Sequence, residues 1–459
     1  VTSRRGRAGR FLPAWAGAAL FVVIPLTPLA IVLSSGEPPD NQWREFSAAL
    51  AMSGFAIVLL QFLTSGRFRF VSGRDGRGTG IDATMRLHQL ASRTALIFLL
   101  AHPLLYVAPR LLSGSGGAGD MLAGMLLSGR LRTGVAAWAL MIVTVAFAIT
   151  RDHLPIRYET WRLTHGIGAG LVAVLGTHHT LSAGTYSAAP ALAAFWLGLS
   201  ATALLSLTYV YLVRPLHKRR RPWRVVMVEA AADRIWRVTI EPDGHRPATF
   251  VAGQFAWLNL GHSPFSLTEH PFSFASAPVS LPRLEFVIKE NGDFTRTVGA
   301  IPTGTLVYLD GPHGNFTLAG RDGARHGHGS LVLIAGGAGI APALAILRDL
   351  AARGEHRSAT LIYGNRRETQ IVAREELERL QATMGLRLIL PLGEPPATWR
   401  HPRGDITRDV LAQCLGPRPD AQALYLVCGP PAMMDTVEAA LLALGVPRGR
   451  IVCERFRYD

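Results

Sequence analysis

Two apolar stretches carry histidines at intervals that suit metal ligation. The first, MRLHQLASRTALIFLLAHPLLYV, holds His88 and His102; the second, WRLTHGIGAGLVAVLGTHHTLSAG, holds His165 and the doublet His178-His179. Each is long enough, at roughly 20 residues, to cross a bilayer as a helix, and an imidazole at that depth is costly without a partner. At ~1.5 Å rise and ~100° per residue, His88 and His102 lie about 21 Å apart and within about 40° of one face. Two such helices side by side make two stacked histidine pairs, one near each membrane surface, which two bis-histidine haems would fill. Hydrogen-bonded packing explains a lone histidine well; it explains four at nearly equal spacing poorly. On an ideal helix His179 shares the face of His165 and His178 points about 140° away. The glycines at 166, 168, 170 and 176 leave room for deviation.

Those helices must be set in a membrane. The chain of 459 residues carries a formal charge of +15. Its first 213 or so residues are long apolar runs, and the remainder reads as a soluble α/β protein. Six spans are expected: Leu12–Leu33, Phe46–Leu63, the first histidine stretch, Gly134–Thr150, the second histidine stretch and Ala191–Val213. The N-terminal Arg4-Arg5 pair precedes a long span with Pro25 and Pro28 and no clear cleavage site, so an uncleaved anchor is expected. Arginines gather at the N-terminus (Arg4, Arg5, Arg7, Arg10), after span two (Arg67, Arg69, Arg74, Arg77), after span four (Arg151, Arg157, Arg162) and after span six (RPLHKRRRPWR). All these loops fall on one side, which places the N-terminus and the soluble half in the cytoplasm of a multi-pass cell-membrane protein. The lipid bilayer accounts for the positive charge; nucleic acid is excluded, because no basic stripe is interleaved with aromatics. The longer loop on the other side, SGSGGAGDMLAGMLLSG, is expected to be flexible with a short interfacial helix.

The three cysteines, Cys414, Cys428 and Cys453, all lie in the soluble half, with no CxxC pair. A reducing compartment follows, without disulfides or an iron–sulfur cluster. Any haem must then be held by histidine.

From Trp223 short strands alternate with Gly, Pro and Asn turns, as in a closed antiparallel β-barrel. From Ser330 the pattern changes to strand–turn–helix, as in a doubly wound parallel sheet whose ligand sits at the strand carboxyl ends. In SLVLIAGGAGIAPALAILRDLAARG, glycines let the backbone approach a pyrophosphate at a helix N-terminus. The domains expected are 1–215, a six-span transmembrane haem-binding bundle; 222–325, a barrel; and 328–459, a nucleotide-binding α/β domain. The RHGHG stretch with His326 and His328 reads as a polar linker rather than a metal site.

The motifs HPFSFAS (270–276), GPHG (311–314), GGAGIAP (336–342) and CGPP (428–431), in that order, resemble the ferredoxin–NADP reductase family. The resemblance implies an FAD-binding barrel followed by a nicotinamide-nucleotide domain. His270, Pro271, Phe272 and Ser273 would lie along the flavin, with the Ser273 hydroxyl near its reactive ring nitrogen. Gly292 and Thr295 would hold the flavin pyrophosphate. Gly336, Gly337, Gly339 and Pro342 would contact the dinucleotide, and Cys428, Gly429 and Pro430 would flank the nicotinamide. The tail ERFRYD matches the family's C-terminal aromatic over the flavin, with Phe456 preferred and Tyr458 the alternative. Ser273, Cys428 and Phe456 are thereby the implied catalytic residues. Six spans with paired histidines joined to such a reductase resemble the ferric reductase and NADPH oxidase superfamily. The family spacing of Thr-His with a histidine thirteen later selects Thr164-His165 and His178, so the metal ligands implied are His88, His102, His165 and His178.

The activity this implies is NAD(P)H-dependent transmembrane electron transfer. FAD and two b-type haems would serve an outer-face acceptor, ferric chelate or molecular oxygen. Arg366 and Arg367 follow a strand without an acidic residue directly after Tyr363-Gly364-Asn365, which favours NADPH over NADH. Whether an accessory subunit takes part is not legible. Two other readings compete: a flavin reductase serving a quinone or partner protein, and a histidine-lined proton conduit with a nucleotide-sensing domain.

Overall fold

The computed structural model describes residues 14–35, 41–68, 71, 80–114, 116–183, 186, 188–319, 329–355 and 357–455. It divides into two compact units, one made of the helices up to Pro215 and one running from Leu216, joined by a short earlier segment ending at Asp82.

The first unit comprises α1 (Ala14–Ser34), α2 (Gln42–Ser65), α3 (Gly80–Ser113), the short α4 (Ala118–Leu127), α5 (Arg132–Ile149), α6 (Tyr158–Ser182) and α7 (Pro190–Thr208). A π-turn at Tyr209–Val213 carries α7 into α8 (Arg214–Arg219). Asn41 caps α2, its side chain accepting from the Trp43 amide at 2.8 Å. The middle of α2 is the buried axis of the bundle, with Phe55, Ala56, Leu59 and Leu60 all enclosed. Val22, Ile97, Val174 and Leu205, on other helices, face outward, as lipid contact requires.

Among the described residues five helices are long and apolar enough to cross a membrane: α1, α2, α3, α5 and the continuous Pro190–Arg219. Six were expected. The sixth, α6, has the length, 25 residues, but its run is interrupted by Arg162, His165, His178 and His179. The polar side chains that make it a candidate for chemistry are the ones that lower its hydropathy. The long loop holds one short apolar helix, α4.

In the second unit six antiparallel strands follow the order β4-β3-β6-β1-β2-β5. They are β1 (Trp223–Ala232), β2 (Ile235–Pro242), β3 (Phe255–Leu260), β4 (His270–Ser273), β5 (Leu284–Lys289) and β6 (Leu306–His313). The sheet curls until its two edges meet in a bridge between Phe274 and Phe286. Pro271 is tolerated because β4 is an edge strand, where a missing N–H breaks no ladder.

Five parallel strands form the second sheet, in the order β11-β10-β7-β8-β9. They are β7 (Leu331–Gly336), β8 (Ala359–Gly364), β9 (Arg387–Ile389), β10 (Leu424–Cys428) and β11 (Ile451–Cys453). Strand alternation divides their side chains between two cores: Leu331, Leu333 and Ala335 enter one, Val332 and Ile334 the other. Helices α10 (Ile340–Ala352) and α11 (Arg374–Met384) cover the first core, and α12 (Arg408–Leu415) and α13 (Pro431–Ala443) the second. The strand order reverses between β7 and β10, so the crevice for a ligand opens at their carboxyl ends.

Candidate functional site

In the helical unit His102 (α3) and His179 (α6) line one apolar cavity of about 340 Å³, with Phe55, Trp138, Met141 and Trp196 among its walls. His88 lies within electrostatic reach of His165, and His102 within that of His179. His88 on α3 thus lies near His165 on α6, and His102 near His179. His178 is placed differently: it is exposed, and its Nδ1 lies 3.2 Å from the Thr133 hydroxyl and 3.4 Å from that of Ser182. The structure thus puts His179, and not His178, in the cavity with His102. Helix α6 stays regular through its glycines, so the ideal rotation holds and the fourteen-residue interval puts His179 on the face of His165. Gly134 on α5 makes room, since a Cβ there would overlap the His179 ring. The His165 ring stacks on Trp161, with centroids 5.3 Å apart.

A cavity walled by apolar groups, with one imidazole entering from each of two helices, suits a porphyrin held by two axial nitrogens.

At the antiparallel sheet, β4 presents His270, Pro271, Phe272 and the buried Ser273 beside β3. Glu269, just before, forms a buried ion pair with Lys218 that fixes the start of the strand. His270 stacks on Phe294 of α9 (Asp293–Arg296), centroids 4.2 Å apart and planes 13° from parallel. Gly292 has a φ of +125° and opens that turn. The Thr295 hydroxyl closes it, accepting from the Asn291 amide at 2.7 Å and donating to the Gly292 carbonyl at 3.3 Å. The stacked His270 and Phe294 rings beside a tight polar turn suit an isoalloxazine and its pyrophosphate arm.

At the parallel sheet, β7 ends in the turn Gly337–Gly339, which leads into α10 with Pro342 in its first turn, where its missing N–H is harmless. Gly337 takes a φ of +53°. A Cβ on Gly339 would overlap the Cys428 carbonyl, so this turn and the end of β10 can touch only through glycine. Gly336 and Gly339 thus meet Cys428, Gly429 and Pro430 across the switch point, with Gly337 and Pro342 in the same turn and helix start. The Cys428 thiol is buried, and burial pushes its pKa well up, with the Glu454 carboxylate adding to the effect. Phe456 and Tyr458 lie outside the described residues, as do His326 and His328.

Two acidic residues enter that the motifs did not announce. Glu454, buried, accepts from the Asn315 amide at 3.1 Å and stands beside Cys428. Its only sequence signal is an acid immediately after the buried strand IVC. Glu394 accepts from Arg366 Nε at 2.6 Å and from Arg367 Nε at 2.8 Å. The two arginines are brought together as expected, but a carboxylate from the loop after β9 sits between them, and the argument for NADPH from a missing acid loses its premise.

Three family descriptions match successive parts of the chain: "Ferric reductase like transmembrane component" over residues 50–177, "FAD-binding domain" over 224–314 and "Oxidoreductase NAD-binding domain" over 333–439. The chain is 34% identical over 166 residues to NADH-cytochrome b5 reductase 1 of Lodderomyces elongisporus, covering 36% of this chain and 53% of that protein. It is 34% identical over 169 residues to the NAD(P)H nitrate reductase of Hordeum vulgare, 34% of this chain and 19% of that protein. It is 31% identical over 242 residues to the reductase component of propane 2-monooxygenase of Mycolicibacterium goodii, 50% of this chain and 66% of that protein. The chain thus spans about half the length of the first of these relatives.

Proposed function

Because this chain has the ferric reductase and NADPH oxidase architecture, a ferric-reductase-like transmembrane component followed by FAD-binding and NAD-binding domains, we propose that it carries electrons from NAD(P)H across the cell membrane to an acceptor on the outer face. That it is a membrane-embedded NAD(P)H oxidoreductase follows from the architecture; its haems, its orientation and its acceptor are our reading. The observation that carries this reading is the cavity shared by His102 and His179, with His88 and His165 forming the second pair.

When bound, FAD turns a two-electron hydride donor into single electrons, and b-type haems carry single electrons through an apolar layer. The chain's own residues hold and orient these groups. His88 with His165, and His102 with His179, would each hold one haem through a pair of imidazole nitrogens. His270 and Phe294 would brace one side of the flavin, and Ser273 would place a hydroxyl at its edge. The turn at Gly337–Gly339 would take the dinucleotide phosphates, while the buried, protonated Cys428 would pack beside the nicotinamide without adding charge. Glu454, next to it, is a candidate for holding a proton there. Arg366 and Arg367, tied by Glu394, would face the adenosine ribose, and both NADH and NADPH are compatible with that trio. The arginine-rich loops support a cytoplasmic dehydrogenase. Ferric chelate and molecular oxygen are the acceptors in view.

Purified protein from haem-replete cells tests the reading. A reduced-minus-oxidised spectrum should show low-spin haem bands; a flavin-only spectrum would overturn it. H102A or H179A should each lose one haem, while H178A should keep both. Turnover compared with ferric chelate, with oxygen in the presence of superoxide dismutase, and with quinone identifies the acceptor.

A further inference from the structure

We propose that Ser47 and Thr64, both on α2, are positioning residues that make His102 and His88 the stronger donor of each histidine pair and hold both haem potentials low. The proposal rests on the haem reading above.

Ser47 Oγ donates to the His102 carbonyl at 2.7 Å and lies 2.8 Å from His102 Nδ1. With its proton committed, the hydroxyl meets Nδ1 as an acceptor. The Ser47 carbonyl, 3.1 Å from the same nitrogen, can only accept. His102 Nδ1 must therefore carry the hydrogen. Thr64 repeats the device at the other level: Oγ1 donates to the Gln61 carbonyl at 2.9 Å and lies 3.2 Å from His88 Nδ1. Both α3 rings are thereby set as Nδ1–H tautomers, with the Nε2 lone pair left for a metal.

The α6 rings differ. Nδ1 of His165 and Nδ1 of His179 are buried with no hydrogen-bond partner among the described residues. Each pair thus joins one imidazole that donates a hydrogen bond to one that does not. An Nδ1–H that donates gives its ring anionic character and greater basicity. A more basic axial ligand favours ferric over ferrous iron, and second-shell hydrogen bonding is one of the levers on haem potential. An intrahelical threonine bond alone would be a local matter, as at Thr144 and Thr150. Here each hydroxyl also reaches a candidate ligand on a neighbouring helix.

The test is a spectroelectrochemical titration of both haems in purified full-length protein. T64V should raise the potential of one haem by about 59 mV or more, a tenfold change in the ferric-to-ferrous ratio for one electron, and S47A should raise that of the other by less, because the Ser47 carbonyl remains as an acceptor for His102 Nδ1. S47T and T64S, which restore the acceptor, should return near wild type, and the low-spin EPR g values should move only in S47A and T64V. If S47A or T64V sheds haem, S47C or T64C is read instead, as a weaker acceptor of similar size. Potentials unmoved at full haem occupancy overturn the proposal in either series. A wild-type protein without haem overturns the reading beneath it instead, so the two failures are distinct.

Discussion

A Cβ on Gly134 would sit 2.5 Å from Nδ1 of His179, so the space left by one residue is the space the ring of the other fills. The two helices that carry them, α5 and α6, approach closely where position 134 has no side chain, as they do where Gly168 meets Thr144. Gly134→Ala should tilt the ring out of line, and Gly134→Val should do so more fully. The expected result is loss of about half the haem absorbance, one site of two, with NADH oxidation by the flavin and an artificial acceptor unchanged. Full haem content in Gly134→Val would show that His179 is not an axial ligand.

Glu394 holds both Arg366 and Arg367, and hydrogen bonds from Arg367 and then Arg366 keep its carboxyl below the usual carboxylate range. A 2′-phosphate would have to compete with that carboxylate, whereas a ribose diol could share it. E394Q should therefore raise the ratio of kcat/KM for NADPH over NADH by roughly tenfold, the order expected when charge-assisted bonds are freed for a phosphate. Steady-state kinetics with both nucleotides decide it. An unchanged ratio would place the adenosine ribose elsewhere.

These two sites mark where the sequence could be read and where it could not. The division of β7 between two cores is written in plain alternation, and GGAGIAP announces its turn because only glycine fits against the Cys428 carbonyl. Glu394 escaped notice because it arrives from the loop after β9, 28 residues beyond Arg366 in sequence. Glu454 escaped because one acid after a short strand has no pattern. That His179 faces the cavity was legible from helix rotation alone, whereas the family spacing points to His178. Hydropathy understated α6 for a related reason: the histidines that make it interesting make it less apolar.

Burial sets the cysteines apart from ordinary thiols. Burial, then the Glu438 carboxylate, pushes Cys453 up to about 12, and burial with Glu454 pushes Cys428 up as well. The unfolded value is about 8.5. A native group that keeps its proton longer than the unfolded one contributes fully at low pH, and that contribution falls as pH rises between the two values. Tm should decline from about pH 8.5 upward, and C453S should flatten part of that decline. At pH 8 neither Cys428 nor Cys453 should react with iodoacetamide until the protein is unfolded. Rapid labelling of the native protein, read by mass spectrometry, would contradict the burial argument.

Arg348 on α10 joins the two sheets of the soluble unit. It donates to the Ala275 carbonyl at 2.9 Å and to Glu285 at 2.7 Å on the flavin side, and to Glu376 of α11 at 2.6 and 2.7 Å. Burial alone would raise the Glu376 carboxyl, but the hydrogen bond and charge of Arg348 outweigh it and hold the group low. A carboxylate depressed in the native state contributes stability above its unfolded pKa, and that contribution is lost as pH falls through the native value. Arg348→Met should cost about 1.5–3 kcal/mol, the usual worth of hydrogen bonds to charged groups. It should also remove part of the acid-side slope of Tm against pH below about pH 4.3, the ordinary glutamate value. Melting curves of the two proteins across pH 3 to 7 test both effects. A variant that is destabilised equally at every pH would show that Arg348 acts through packing and not through Glu376.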